Sequence, residues 1–255
     1  MRPGAIRAAM GIECPRRGPS GAPQRAGGTI DSSEMEIVDL SVAFSEGMPR
    51  FSAPWFPEVS ITEVRPDHPD RRRFTSLQLC AHNGTHVESS NHLSGKGATI
   101  DKVELARFGG FPTIVDLRDA PDGTEVSREA IRSRLDPDSP VRGQIVVLMT
   151  SYNDRSWAGE SYWESSPWLS VGAAEYIASL KPSLVGLDFQ TERPRDRDFA
   201  VHRALLGREI VLCEYLFNLD RLDGETLFLA LPMKIAGTEA APVRAIGIKG
   251  VSRPS

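Results

Sequence analysis

Cysteine is scarce in this chain, with three residues in 255: Cys14, Cys80 and Cys213. An odd number, with one member in a low-complexity N-terminal stretch, does not build a disulfide framework. Isolated cysteines in β-like runs serve as small buried apolar groups, so a reducing compartment, the cytoplasm, is expected. Long apolar runs are missing as well; none approaches the roughly 18–20 residues that a membrane span needs. Positive charge does not dominate, since 30 Lys and Arg stand against 34 Asp and Glu, a formal charge of −4. Without a basic stripe or an interleaved aromatic platform, no nucleic-acid partner is expected. Neither a GxGxxG nor a Walker loop occurs, which removes support for a nucleotide fold. No Gly-x-Ser-x-Gly pentapeptide occurs either, so the strained elbow of a serine hydrolase has no candidate.

What remains is ordinary globular material: 40% hydrophobic and 25% charged residues, enough for a real core. The length suits one large α/β domain or two small ones, and by itself favours one. Residues 1–34 differ from the rest, with Arg2, Arg7, Arg16, Arg17 and Arg25 among many Gly, Pro and Ala. Arg7 and Glu13 interrupt the only apolar core that a secretory signal would use. This stretch is read as a disordered or non-native extension, with the ordered domain spanning 35–255.

Strands are expected at Glu36–Phe44, Glu58–Arg65, Phe74–Ala81, Thr113–Leu117, Ile145–Thr150, Leu184–Phe189, Ile210–Glu214, Thr226–Leu231 and Val243–Ile248. Ser127 and Ser170 are expected to cap two helices, and Ala200–Leu206 forms a third, closed by Gly207. Many strands, few helices and no fixed repeat indicate a mixed α/β domain. The Met48–Pro57 loop, rich in proline and aromatic residues, excludes regular structure. Phe51, Trp55 and Phe56 there suit either surface packing or the wall of an apolar pocket beneath a lid.

Three of the five histidines fall within eleven residues, His82-Asn-Gly-Thr-His86-Val-Glu88-Ser-Ser-Asn-His92. Imidazole and carboxylate are the usual nitrogen and oxygen ligands of zinc, manganese and iron. On a straight strand the Cα atoms of His82 and His86 would stand about 13 Å apart, too far for one ion. A turn is therefore required, and Gly84 in the Asn83-Gly84 pair permits its backbone angles. His86 and Glu88, two apart in extended chain, project to the same side. His82, His86 and Glu88 thus converge, with His92 as a further ligand or a proton carrier. The competing account is a hairpin whose histidines satisfy backbone carbonyls. His68, isolated in Pro66-Asp-His-Pro-Asp, is expected to be exposed. Cys80 alternates with His82 but suits a buried strand position better than a ligand.

The fifth histidine, His202, precedes Glu214, which lies inside the apolar run IVLCEYLF. A buried carboxylate needs a positive partner, either a metal ion or, structurally, Arg244 or Lys234.

The first segment resembles the His-x-Gly-Thr-His-x-Asp-x-Pro-x-His signature of the cyclase family, which includes bacterial-type kynurenine formamidases, isatin hydrolase and trans-dienelactone hydrolases. His202 with Leu205-Leu206-Gly207 and Glu214 is similar to that family's second segment. Val185-Gly-Leu-Asp188, Leu231-Pro-Met-Lys-Ile-Ala-Gly237 and Ala241-Pro-Val-Arg244 extend the likeness over Glu36–Ile248. The resemblance implies a single-domain swivelling β/β/α fold with mixed sheets, a homodimer or homotetramer, and one or two zinc or manganese ions. By position it implies that His82, His86 and Glu88 are metal ligands. His92, His202 and Glu214 then complete a second metal site or supply acid and base. Glu88 stands where the family usually has Asp, and Ser90 where it usually has Pro.

An open metal site lowers the pKa of bound water toward about 7 and polarises a carbonyl. His92 or Glu214 would carry the proton. The expected reaction is hydrolysis of a small amide, N-formyl amine, lactam or lactone. A metal-dependent cyclase or dehydratase acting on a hydroxy-acid or polyketide-like substrate is the alternative, followed by a non-catalytic metal-binding protein.

Overall fold

The computed structural model describes residues 35–253, apart from 52, 65–71, 136–137, 139–140 and 142–143. The N-terminal extension, His68 and Arg65 lie outside the described residues. In chain order the elements are β1 (Glu36–Asp39), β2 (Ser60–Val64), β3 (Phe74–Gln78), β4 (His86–Glu88), α1 (Asn91–Ser94), β5 (Gly109–Gly110), β6 (Pro112–Asp116), β7 (Glu125–Val126) and α2 (Arg128–Arg132). There follow β8 (Ile145–Met149), α3 (Tyr152–Ser156), α4 (Tyr162–Ser165), β9 (Trp168–Leu169), α5 (Val171–Leu180), β10 (Leu184–Leu187), α6 (Ala200–Leu206), β11 (Val211–Glu214), β12 (Leu227–Leu229), β13 (Ala240–Pro242) and β14 (Ile246–Lys249).

The centre is a six-stranded sheet in the order β13-β4-β11-β10-β8-β6. β6, β8, β10 and β11 run parallel, β4 joins β11 in antiparallel sense, and β13 pairs antiparallel with β4. Near-continuous apolar runs make β8, β10 and β11, because a sheet covered on both faces has no solvent side. Alternation then sorts their side chains into two cores. Val146, Leu148, Val185, Leu187 and Leu212 join Ala173, Ile177, Val201 and Leu205 of the helices. Ile145, Val147, Leu184, Val211 and Cys213 turn the other way, against Val38 and Phe228. Those two belong to an antiparallel sheet of order β1-β14-β12-β5. The layers are therefore sheet, sheet and helices, a mixed α/β domain as the sequence implies.

Local signals account for the best-placed elements. The Ser170 hydroxyl accepts from the Ala173 N–H at 3.0 Å, and Ser127 from the Ala130 N–H at 3.2 Å, the hydrogen bonds that start helices. α6 ends at Gly207, but with right-handed backbone at φ −63°; the left-handed residue comes at Glu209, φ 59°. Several strands are shorter than expected. Beyond Asp39 the first strand keeps only an isolated bridge from Ser41 to Leu216. Phe74–Ala81 stops at Gln78 because the chain turns at residues 81–85. Val243 leaves the last strand to bridge Pro232. In the Met48–Pro57 loop, Phe56 is buried and Trp55 is 75% exposed.

Candidate metal centre

β4 is three residues long, and its position decides the site. It lies between β13 and β11, with His86 opposite Glu214 and Glu88 opposite Leu212. Val87 and Cys213 face the second sheet, so His86, Glu88 and Glu214 all project toward the helices. α6 covers that face and brings in His202; α1 brings in His92. The turn before β4 is pinned on three sides. The Asn83 side-chain Oδ1 accepts the Cys80 N–H at 2.6 Å, the Thr85 hydroxyl donates to Tyr215 O at 2.7 Å, and the same hydroxyl accepts the Val42 N–H at 2.9 Å. Gly84 takes φ 55°, the backbone geometry that the separation of the two histidines demands.

The structure brings all six candidate residues, His82, His86, Glu88, His92, His202 and Glu214, into one cluster centred on the buried Glu88 carboxylate. Glu88 Oε1 lies 3.0 Å from His82 Nδ1 and 3.0 Å from His86 Nε2. Its Oε2 lies 3.7 Å from His202 Nε2 and 3.9 Å from His92 Nε2. Glu214 stands 3.6 Å from His86 Nε2 and 3.6 Å from His202 Nε2, and accepts a hydrogen bond from the Thr191 hydroxyl. Among the described residues no lysine or arginine ion pair to Glu214 is found, and Arg244 pairs with Asp39 at 2.6 Å. Cys80 is partly buried and lies outside strand β3.

Three residues were missed by sequence reasoning. Glu192 Oε1 lies 2.9 Å from His202 Nδ1, Glu239 Oε1 lies 3.1 Å from His82 Nε2, and Thr191 holds Glu214. The available signal was weak: each sits within or beside a segment that already carried the family likeness.

Electrostatics follow from burial around two carboxylates. Burial favours the neutral form of His82, yet the charge of Glu88 and the bonds to Glu239 and Glu88 outweigh it and raise its pKa to about 10. The same contest at His202, against Glu192, Glu88 and Glu214, ends at about 9. Glu88, despite complete burial, is held well below the ordinary carboxylate range by the His82 charge and bonds from His82 and His86. Glu214 is raised by burial and by repulsion from Glu88. His92 is lowered by burial, with repulsion from His82 and His202 adding to it against the pull of Glu88. Without a metal ion, the raised affinity of His82 and His202 for a proton balances the buried negative charge.

A divalent cation fits these residues. Glu88 Oε2 is buried, accepts no hydrogen bond, and sits among imidazole nitrogens. An orphaned carboxylate oxygen in such a place costs free energy unless a cation meets it. The sets His82, Glu88, His92 and His86, Glu88, Glu214 each offer ligand atoms within 4.8 Å of one another. Imidazole and carboxylate suit zinc and manganese alike.

An aromatic path leads outward from this centre. Ring centroids are 5.7 Å apart for His86 and Tyr215, 6.2 Å for Tyr215 and Trp163, and 6.3 Å for Trp163 and Phe51. A cavity of about 450 Å³ opens at Arg50, Ala53, Pro54 and Trp163.

Fold and site together define a class, that of β/β/α proteins with a His and carboxylate centre on the central sheet. The family described as "Putative cyclase" matches residues 38–191, and the chain belongs to this cyclase family. A kynurenine formamidase from Salinibacter ruber is 30% identical over 216 residues, covering 83% of this chain and 97% of that protein. Cyclase-like protein 2 of Oryza sativa subsp. japonica is 28% identical, over 70% of this chain and 66% of its own. Among solved structures, an isatin hydrolase bound to the product analogue thioisatinate superposes with a TM-score of 0.76. It is 22% identical, covers 87% of this chain and 94% of its own, and bears on the fold alone.

Proposed function

We propose that this protein is a metal-dependent hydrolase that cleaves an amide bond, in an N-formyl amine or a cyclic amide, of a small aromatic molecule. The observation that carries this reading is the buried Glu88 carboxylate, whose Oε1 meets two imidazoles and whose Oε2 has no hydrogen bond. The relative named as a kynurenine formamidase supports the reaction class. His82, His86, Glu88, His202 and Glu214 would hold Zn²⁺ or Mn²⁺. Because the two oxygens of Glu88 face different histidines, the donor set supports two ions as readily as one. When bound, the ion would supply Lewis acidity and water of lowered pKa.

The chain's own groups supply the rest. His92 lies at the rim of the cluster, with its side chain 30% exposed, and its lowered pKa keeps it neutral at neutral pH. It is therefore poised to take a proton from the attacking water and return it to the leaving nitrogen. Glu214, held between His86, His202 and Thr191, suits a ligand better than a proton carrier. Phe51, Trp163 and Tyr215, which follow one another outward from His86 in the order Tyr215, Trp163, Phe51, would orient a flat apolar substrate. The protein is expected to be cytoplasmic and to form a homodimer or homotetramer.

The test is hydrolysis of a panel of formanilides, lactams and lactones before chelation, after it, and after return of Zn²⁺ or Mn²⁺. Activity should vanish on chelation and return with metal, and His92→Ala should lower kcat by about 10²–10⁴-fold while still binding metal. Amide hydrolysis that survives complete removal of metal would overturn the reading.

A further inference from the structure

Three of the four site histidines have one ring nitrogen engaged by an oxygen outside the central carboxylates. His86 Nδ1 lies 2.9 Å from Gly84 O, His202 Nδ1 lies 2.9 Å from Glu192 Oε1, and His82 Nε2 lies 3.1 Å from Glu239 Oε1. A carbonyl or carboxylate oxygen can only accept, so each of these nitrogens carries the hydrogen and donates it. The opposite nitrogen is then the one free to bind a cation. Those opposite nitrogens point inward: His86 Nε2 and His82 Nδ1 lie 3.0 Å from Glu88 Oε1, and His202 Nε2 lies 3.7 Å from Glu88 Oε2. No ring hydrogen bond is found for His92 among the described residues.

We propose that Glu192 and Glu239 are positioning residues that fix which nitrogen each histidine presents to the metal, Nε2 for His202 and Nδ1 for His82. This deepens the metal-centre reading and rests on it. Each glutamate does more than meet a ring. The same Oε1 of Glu192 accepts the His202 backbone N–H at 2.9 Å, which ties the imidazole to the first turn of α6. The Glu239 carbonyl accepts both the N–H and the hydroxyl of Ser89 at 2.9 Å. One residue thereby holds His82 and the chain leaving Glu88. A carboxylate behind a metal-bound histidine both orients the ring and makes it more basic, and losing such a partner weakens metal binding by about 10–100-fold.

The two contributions should differ in size. The Glu192 side chain is 11% exposed and His202 is 7% exposed, so truncation leaves a buried N–H with no replacement. The Glu239 side chain is 36% exposed, and water can take its place. Glu192→Ala should therefore lie toward the 100-fold end and Glu239→Ala nearer 10-fold.

The experiment titrates metal-free full-length protein with Zn²⁺ against a chromophoric chelator, for wild type, Glu192→Ala, Glu192→Gln, Glu239→Ala and Glu239→Gln. Thermal unfolding of each metal-free protein runs alongside. The alanine variants should lose more affinity than any fall in their metal-free melting temperature accounts for, a fall expected for Glu192→Ala, which orphans the ring and backbone N–H groups of His202. The glutamine variants, which keep an accepting oxygen, should recover most of it. Alanine variants that bind Zn²⁺ within twofold of wild type would sink the positioning role and leave the metal centre standing. So would affinity that falls only in step with the metal-free melting temperature. Failure of wild type itself to bind Zn²⁺ or Mn²⁺ would remove the centre and this inference with it.

Discussion

Asp188, one residue beyond β10, turns both carboxylate oxygens toward residues 150 and 151. The Thr150 N–H and hydroxyl donate to Oδ1 at 2.8 and 2.7 Å, and the Ser151 N–H donates to Oδ2 at 2.7 Å. These bonds hold Ser151 in left-handed backbone at φ 56°, where α3 begins. Burial nonetheless pushes the Asp188 pKa up to about 7 against those three donors. A folded value above the unfolded one means that the native state keeps a proton the unfolded chain has released. This contribution is fully present below about pH 4 and is lost as pH rises toward 7. Asp188→Asn cannot titrate. The stability gap between wild type and this variant, measured by urea unfolding of metal-free protein, should therefore be about 3 kcal/mol larger at pH 4.5 than at pH 8. An equal gap at both pH values would show that the hydrogen bonds, not burial, set the ionisation. At this scale the sequence exposed the central ligand candidates but not their supports. Histidine is rare enough for a cluster to stand out, whereas Glu192 and Glu239 are two of many acidic residues. They lie 10 and 157 positions from the rings they hold, and no spacing rule spans the second distance.

The turn before β4 is the element on which the site depends. An added Cβ at Gly84 would stand 3.1 Å from Val42 Cγ1 and 3.2 Å from both Met48 Cε and Phe44 Cζ, in backbone at φ 55°. Left-handed geometry costs a non-glycine residue roughly 1–2 kcal/mol, and the crowding adds to it. Gly84→Ala should destabilise the protein by about 2–3 kcal/mol and weaken metal binding, because His82 and His86 flank the turn. Chemical denaturation together with a metal titration reads both effects, and a variant as stable as wild type would refute the argument. Elements with periodic or capping signals were legible: β8, β10, β11, α5 and α6 follow from apolar runs, Ser170 and Gly207. β7, β9 and β13 were not. Two or three residues hold no period, and their strand character comes from partners distant in sequence, such as Ala240 opposite Glu88. The layering was expected only through the family resemblance, since periodicity shows that a strand is buried but not what buries each face.

Across the whole molecule, the candidate ligands come from two stretches, 82–92 and 202–214, joined through β4, β11, α1 and α6. A cation bound there bridges segments that the unfolded chain holds far apart, so it should bind the native state almost exclusively. At a free metal concentration a thousand times the dissociation constant, such binding adds about 4 kcal/mol of stability. For a domain of this size, that raises the melting temperature by roughly 8–16 °C. Glu88 touches both histidine sets, so Glu88→Ala should abolish the metal-dependent rise rather than halve it. Calorimetry of wild type and Glu88→Ala, each with chelator and with saturating Zn²⁺ or Mn²⁺, measures the difference. A rise that survives in Glu88→Ala would place the stabilising ion elsewhere on the surface. A rise lost in Glu88→Ala alone would tie the cation to the carboxylate where the two segments meet.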